Sequence, residues 1–298
     1  IESAKTEGKT VVAGEDVFKL YDTFGFPLDL TREIILENGL EIDEDAFNAL
    51  MKAQKERARA ARGNIGGWDE SSKNLLESLA KTEFVGYGNT VADAKIIAIV
   101  ADDTLVDEVS EGECTIILDK TPFYGEGGGQ VGDEGEILGK DASATVIDTK
   151  KTDGIYLHIC TVNNGIVRVG DTVKATVNAE RRAAIMRNHS SLHLLQAALR
   201  QVLGNHVEQA GSYVSDTVCR FDFTHFSAMT AEEIASVETL VNWEILAGQV
   251  GSMTEMPIEE AKKLGAMALF GEKYGDTVRV VAADDFSIEF CGGTHVDN

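Results

Sequence analysis

Between residues 82 and 178 the chain presents a succession of short β-rich runs: "AKIIAIVADD", "ECTIILD", "DEGEIL", "ATVIDTK", "GIYLHIC" and "DTVKATVN". Turn residues separate them, and no strong helical pattern interrupts. This feature constrains the fold more than any other. Short strands in unbroken succession must close into a ring or stack face to face, because open edges leave backbone groups unpaired. The even spacing predicts a small β-barrel or sandwich. We read it as a β-barrel domain over residues 67–179.

The flanks differ. Residues 14–63 read as helical: "EDVFKLYDTF" and "LDLTREIILENG" carry apolar residues at helix spacing, with Gly39 as a stop. "DEDAFNALMKAQKERARAAR" opens with Asp43 or Asp45 as a cap and continues as a long amphipathic helix. "GNIGGW" breaks that pattern, which places a linker near 63–75 and bounds a helical segment at 1–66. Residues 180–298 alternate. "RRAAIMRNHSSLHLLQAALRQVLG" predicts a helix closed by Gly204. "TAEEIASVETLVNWEILAG" has Thr230 as cap and Glu233 three on, a capping box. "PIEEAKKLGAM" begins a third helix, and "VCRFDF", "TVRVVAA" and "SIEFC" are strands. The whole is α+β and multidomain, ending in helices on an antiparallel sheet.

The net charge of −23 opposes a general nucleic-acid surface, since phosphate contacts need Lys and Arg. Residues 67–180 are the most acidic part, with 9 basic against 21 acidic side chains. Any such surface must be a local patch, "KAQKERARAAR" (52–62) or "RRAAIMR" (181–187), the latter bringing Arg181 and Arg182. The first patch reads equally well as a solvated helix face. No apolar run spans a membrane, and the polar "IESAKTEGKT" start lacks a signal-peptide layout. Four scattered cysteines suit a reducing compartment, hence the cytoplasm.

Two short motifs carry metal chemistry. "HSSLH" sets His189 and His193 at i and i+4, one turn apart on one helix face. "CGGTH" sets Cys291 and His295 around two glycines that let the backbone turn sharply. Each pair alone is weak; together they make a His₃Cys set for zinc. Four protein ligands usually mark a closed structural site, whereas catalytic zinc keeps a position for water. Ser190 stands where a metalloprotease H-E-x-x-H needs its glutamate, so that chemistry is excluded.

The second unusual stretch is "TPFYGEGGGQVGDEG" (121–135). Gly127, Gly129 and Gly132 match G-x-G-x-x-G in letters only. No helix pattern follows, and Glu126, Asp133 and Glu134 would repel a pyrophosphate. The plain reading is a hairpin with tight turns. The functional reading is a bare backbone at Gly127, Gly128, Gly129 and Gln130 that lets a substrate approach, with Phe123 and Tyr124 supplying stacking or a hydroxyl.

These pieces together resemble the alanyl-tRNA synthetase family. "FKLYDTFGFPLDLTREI" is similar to the end of its tRNA-recognition helices. "TPFYGEGGGQVGDEG", "RNHSSLHLLQAALRQVLGNHVEQAGSYV", "GAMALFGEKYGDTVRVV" and "CGGTH" are similar to successive motifs of its editing domain. The resemblance covers nearly the whole chain. It implies an internal portion of a ligase, without the ATP and alanine site, with any homo-oligomer formed through parts absent here. It implies His189, His193, Cys291 and His295 as Zn²⁺ ligands, Gln209 in the editing pocket, and Thr121 sensing the serine hydroxyl of a wrong amino acid. The partner implied is the 3′ end of tRNA(Ala), admitted past the glycine loop. The activity implied is hydrolysis of the ester in Ser-tRNA(Ala) or Gly-tRNA(Ala). Two alternatives stand beside it: a free-standing editing hydrolase, and a tRNA-binding module whose zinc is structural.

Overall fold

The computed structural model describes residues 8–61, 76, 79–248, 251–267 and 275–297. The linker expected near 63–75 lies outside them. The chain divides into two compact units, Ile1–Trp68 and Asp69–Asn298. No helix among the described residues is long and apolar enough to cross a membrane.

The first unit is helical. Helices α1 (Gly14–Phe24), α2 (Leu28–Glu37) and α3 (Glu44–Ala61) enclose Val17, Ile35, Leu40 and Phe47. Phe47 meets Phe18 and Tyr21 edge to face. Of the two expected caps, Asp43 serves: its Oδ1 accepts from the Ala46 amide at 3.0 Å. Residues 52–61 of the basic run continue α3, but the side chains from residue 55 onward, and residue 62 altogether, lie outside the described ones.

The second unit begins with a barrel, not a sandwich. Its strands are β1 (Val91–Ala101), β2 (Gly112–Leu118), β3 (Gly135–Leu138), β4 (Ser143–Thr152), β5 (Ile155–Asn164) and β6 (Thr172–Val177). The order is β1-β2-β5-β4-β3-β6, and β6 pairs back onto β1, so the ring closes with every pairing antiparallel. Closure removes the edges that open strands would expose. Ile96, Ile116, Leu118, Ile137, Val146 and Cys160 fill the interior.

An α+β layer follows. Helix α4 (Ala179–Leu203) is capped by the Asn178 side chain, which accepts from the Arg181 amide. The hairpin β7 (Gln209–Val214) and β8 (Cys219–Phe223) and helix α5 (Ala231–Ala247) pack near it around Ala198, Leu199, Val207 and Val237. The expected capping box at Thr230 and Glu233 is formed. Strands β9 (Gly251–Pro257), β10 (Thr277–Ala283) and β11 (Ser287–Phe290) make an antiparallel sheet in that order, with α6 (Ile258–Lys263) between β9 and β10.

Arg182 ties α4 to the barrel. It is 3% exposed, bonds the Asp133 carboxylate, and donates to the carbonyls of Gly86 and Pro122 at 2.8 and 2.9 Å. Arg181 donates to the Gly132 carbonyl and pairs with Glu134 and Asp216. The expectation that Arg182 binds substrate is corrected: a buried guanidinium must satisfy its donors internally, and here it fastens two parts of one core. Arg181 keeps 16% of its side chain exposed beside these partners.

Candidate metal centre

The two chelating pairs meet. Helix α4 carries His189 and His193, and the turn after β11 carries Cys291 and His295. Their four ligand atoms lie within 4.8 Å of one another, the one such cluster among the described residues. Cys291 Sγ is 3.5 Å from His189 Nε2 and 3.2 Å from His295 Nε2. The glycines act differently from expectation. Neither Gly292 nor Gly293 has a positive φ. Gly293 is needed because a Cβ there would stand 2.1 Å from His189 Cε1. The turn can reach the helix only without that atom.

Each imidazole is held by its Nδ1. Gln130 Oε1 accepts from the Thr294 amide at 2.9 Å, so that atom is the oxygen and His189 Nδ1, 2.8 Å away, must be the donor. His193 Nδ1 donates to Glu289 Oε2 at 2.6 Å, and Ser287 bonds the other oxygen. His295 Nδ1 lies 3.2 Å from Ser190 Oγ. All three rings thus turn Nε2 toward the centre. His193 Nε2 is buried without a hydrogen-bond partner, an orphan that a metal ion would satisfy.

The electrostatics favour the ligand state at Cys291 and His295 and oppose it at His193. Burial alone would raise the Cys291 thiol, but the imidazoles of His189, His193 and His295 outweigh it and hold the group well below its ordinary range. Burial pushes His295 down to about 3. Burial also opposes charge on His193, yet the Glu289 carboxylate, with Cys291 beyond it, lifts that ring to about 10, so a metal ion binding its Nε2 must displace a proton. A thiolate among imidazoles is the donor state that metal ions bind.

The cluster opens on a cleft of about 420 Å³ lined by His189, Cys291, Tyr87, Tyr124, Lys151 and Arg279. A second cavity of about 500 Å³ reaches His193 and His295 from elsewhere. The glycine loop borders the cleft at Gly127 and Gly128. It is a hairpin turn: Gly127 and Gln130 exchange backbone bonds, and Gly128 and Gly129 have φ of +57° and +83°, the pattern of a type I′ turn. Gly129 packs on Ser212, so Gly127 and Gly128 are the loop positions that face the opening.

Several expected site residues are placed otherwise. Tyr124 lines the cleft, but its hydroxyl donates to the Gly127 carbonyl at 3.0 Å. Phe123 is fully buried in the barrel core, edge-on to His158, so it cannot stack on a substrate. Gln130 is fully buried behind His189 and positions that ring rather than a substrate. Thr121 is also fully buried. His158 Nδ1 lies 2.8 Å from the Ile116 carbonyl, so its Nε2 accepts, and the Thr121 hydroxyl 2.7 Å away spends its one proton there. Its oxygen accepts from the Phe123 amide. Thr121 therefore keeps one acceptor lone pair and no proton for a serine hydroxyl. Gln209 Nε2 lies 3.2 Å from Ser212 Oγ on β7 and is outside the residues lining the cleft.

Sequence reasoning missed Glu289, Arg279, Tyr87 and Lys151. Glu289 left one signal, an acid in the short apolar strand "SIEF". The others left none.

Comparisons with known proteins agree along the whole chain. The sequence pattern of tRNA synthetases class II (A) matches residues 1–181. That of the threonyl and alanyl tRNA synthetase second additional domain matches residues 278–298, which hold Cys291 and His295. The alanine–tRNA ligase of Acetivibrio thermocellus is 52% identical over 301 residues, covering 100% of this chain and 34% of the relative. Alanine–tRNA ligase 1 of Lachnoclostridium phytofermentans is 53% identical over 302 residues, with the same coverage of each. The Bacillus subtilis alanine–tRNA ligase is 46% identical over 300 residues, again covering 34% of its own length. The chain therefore spans about a third of the curated relatives it matches.

Proposed function

The chain belongs to the alanine–tRNA ligase family of class II tRNA synthetases, and on that premise we propose that residues 69–298 are a zinc-dependent editing hydrolase. The substrate is the ester linking serine or glycine to the 3′ end of tRNA(Ala). The observation that carries this reading is the His₃Cys cluster opening directly onto a cleft. The need for such a site is energetic: a pocket sized for alanine discriminates against a missing methyl or an added hydroxyl by only about 1–3 kcal/mol.

Zinc suits the donors. Bonds of about 2.3 Å to sulfur and about 2.0–2.1 Å to nitrogen put tetrahedral S and N ligands about 3.5 Å apart. The Cys291 Sγ separations of 3.5 and 3.2 Å from His189 and His295 are close to that. Bound there, zinc would supply Lewis acidity toward the ester carbonyl or activation of a water. The protein's own share is positioning. Gln130, Glu289 and Ser190 hold the three Nδ1 atoms and so aim the Nε2 lone pairs. Gly127 and Gly128 leave bare backbone at the cleft. Gln209 is assigned to orienting substrate or water: its amide oxygen accepts no hydrogen bond among the described residues, and Ser212, its neighbour, packs on the glycine turn.

One observation favours a second reading. Four protein ligands are the complement of a closed structural site, which would make this part a tRNA-binding module. One experiment separates the two. Serine release from Ser-tRNA(Ala) and alanine release from Ala-tRNA(Ala) are measured with and without a zinc chelator. Serine release that exceeds alanine release and collapses on chelation is expected. No release at high protein concentration, with zinc bound, rejects the hydrolase.

A further inference from the structure

The turn that carries Cys291 and His295 is gripped by two side chains from different parts of the fold. Arg279 Nη1 donates to the carbonyls of Cys291 and Gly293 at 2.9 and 2.8 Å, and the Tyr87 hydroxyl donates to the carbonyl between them, that of Gly292, at 2.8 Å. Arg279 comes from β10, and its own carbonyl accepts from the Cys291 amide at 3.0 Å. Tyr87 precedes the first barrel strand and lies 205 residues from Gly292 in the chain. The two grips support each other, since the Arg279 guanidinium sits 4.1 Å from the centroid of the Tyr87 ring. Tyr87 is itself held in place. The Gly86 carbonyl accepts from Arg182 at 2.8 Å, and Phe84 meets the Tyr87 ring edge to face at 4.9 Å.

Holding a carbonyl also aims an amide. In a trans peptide the C=O and the N–H point to opposite sides of one rigid plane. The plane whose carbonyl Tyr87 binds has its N–H on Gly293, and that N–H donates to Cys291 Sγ at 3.4 Å. The plane whose Gly293 carbonyl Arg279 binds has its N–H on Thr294. That N–H donates to Gln130 Oε1 at 2.9 Å, the same atom that accepts from His189 Nδ1. One grip thus ends on the sulfur ligand and the other on the partner of an imidazole ligand. A hydrogen bond to a thiolate draws charge from the sulfur and tunes its donor strength toward a metal ion.

We propose that Tyr87 and Arg279 are positioning residues of the metal centre. Together they lock the peptide planes of the 291–294 turn, so that the Gly293 amide stays on the thiolate and the Thr294 amide stays on Gln130. This role rests on one part of the function proposed above, that the His₃Cys cluster binds zinc, and on nothing about the ester or its hydrolysis. It makes the segment leading into the barrel, which holds no ligand, a determinant of the metal's surroundings.

The test loads the full chain with cobalt(II), which accepts the same tetrahedral ligands as zinc and shows a thiolate-to-cobalt charge-transfer band. Tyr87→Phe keeps the ring beside Arg279 and removes only the hydroxyl. With the Gly293 amide no longer aimed at it, the sulfur should donate more strongly, and the band should move to lower energy. Zinc affinity, measured by competition with a chromophoric chelator, should fall about 10- to 100-fold. Arg279→Met keeps the stem and removes the donors, and it should lower affinity as well. The double variant should lose less than the two single losses combined, because both side chains act on one turn. Tyr213 on β7 is 41% exposed, and its hydroxyl makes no hydrogen bond among the described residues, so Tyr213→Phe should change nothing. A wild-type band and wild-type affinity in Tyr87→Phe would overturn the role. So would a Tyr87→Phe protein whose only change is a lower denaturant midpoint without metal, the mark of a purely structural contact. A wild type that takes up neither cobalt nor zinc rejects the zinc reading and the role with it. Cobalt uptake by the wild type, with Tyr87→Phe indistinguishable from it, rejects the role alone.

Discussion

Each histidine of the cluster leans on one outer partner, and these partners are where single substitutions should act. Gln130→Leu removes the acceptor of His189 Nδ1, and Glu289→Leu removes that of His193 Nδ1. Each should weaken zinc binding about 10- to 100-fold, measured by competition with a chromophoric chelator. Glu289→Gln keeps an acceptor and should lose less; equal affinity in all three would refute the positioning role. His158 invites a different measurement. Burial holds it down to about 4, against 6.5 for a free imidazole. Above 6.5 both folded and unfolded chains carry it neutral. As pH falls from 6.5 to 4 the unfolded chain takes up a proton that the folded barrel refuses, so stability must drop across that window, by on the order of 3 kcal/mol. Urea titrations at stepped pH should show this slope in the wild type and a flatter one in His158→Asn.

At the scale of elements, the joint between α4 and the barrel matters most. Arg182→Ala would leave Asp133 buried without its counter-charge, and unfolding of residues 69–298 should become easier by about 3–5 kcal/mol. A change within about 1 kcal/mol, the range of an exposed pair, would contradict the buried geometry. The cap of α5 is a milder case: Thr230→Ala removes the acceptor of the Glu233 amide and should cost about 1 kcal/mol, read from the denaturant midpoint. Most of the elements were legible from sequence; the strands β7 and β9 were not. The short β-rich run "ECTIILD" and the Asp43 and Thr230 caps are local signals, and each formed where it was read. The barrel was legible only as one of two closures, because strand order depends on pairings such as β6 with β1, which no local pattern records.

At the scale of the molecule, all four metal ligands lie in one of the two compact units. Metal binding stabilises only the folded state that contains its site, by about 4 kcal/mol at a thousandfold excess over the dissociation constant. Calorimetry should therefore show zinc raising the transition of residues 69–298 and leaving that of residues 1–68 in place. A chelator should reverse the shift. Zinc moving both transitions equally would mean that the units unfold as one.

While β7 and β9 went unread, sequence alone determined the helices, most of the strands and the two chelating pairs. These follow from periods of 3.6 and 2 and from spacings of four residues, all written within a few positions of each other. It also held enough ordered motifs to resemble its family. Tertiary structure alone decided which side chains of the "TPFYGEGGGQ" stretch face the site. Thr121 turns to His158, 37 residues away, and Gln130 to Thr294, 164 residues away. Arg182 is spent on Asp133, 49 residues back. A polar side chain is committed by whichever partner folding buries beside it, and a partner that distant leaves no period in the sequence to read.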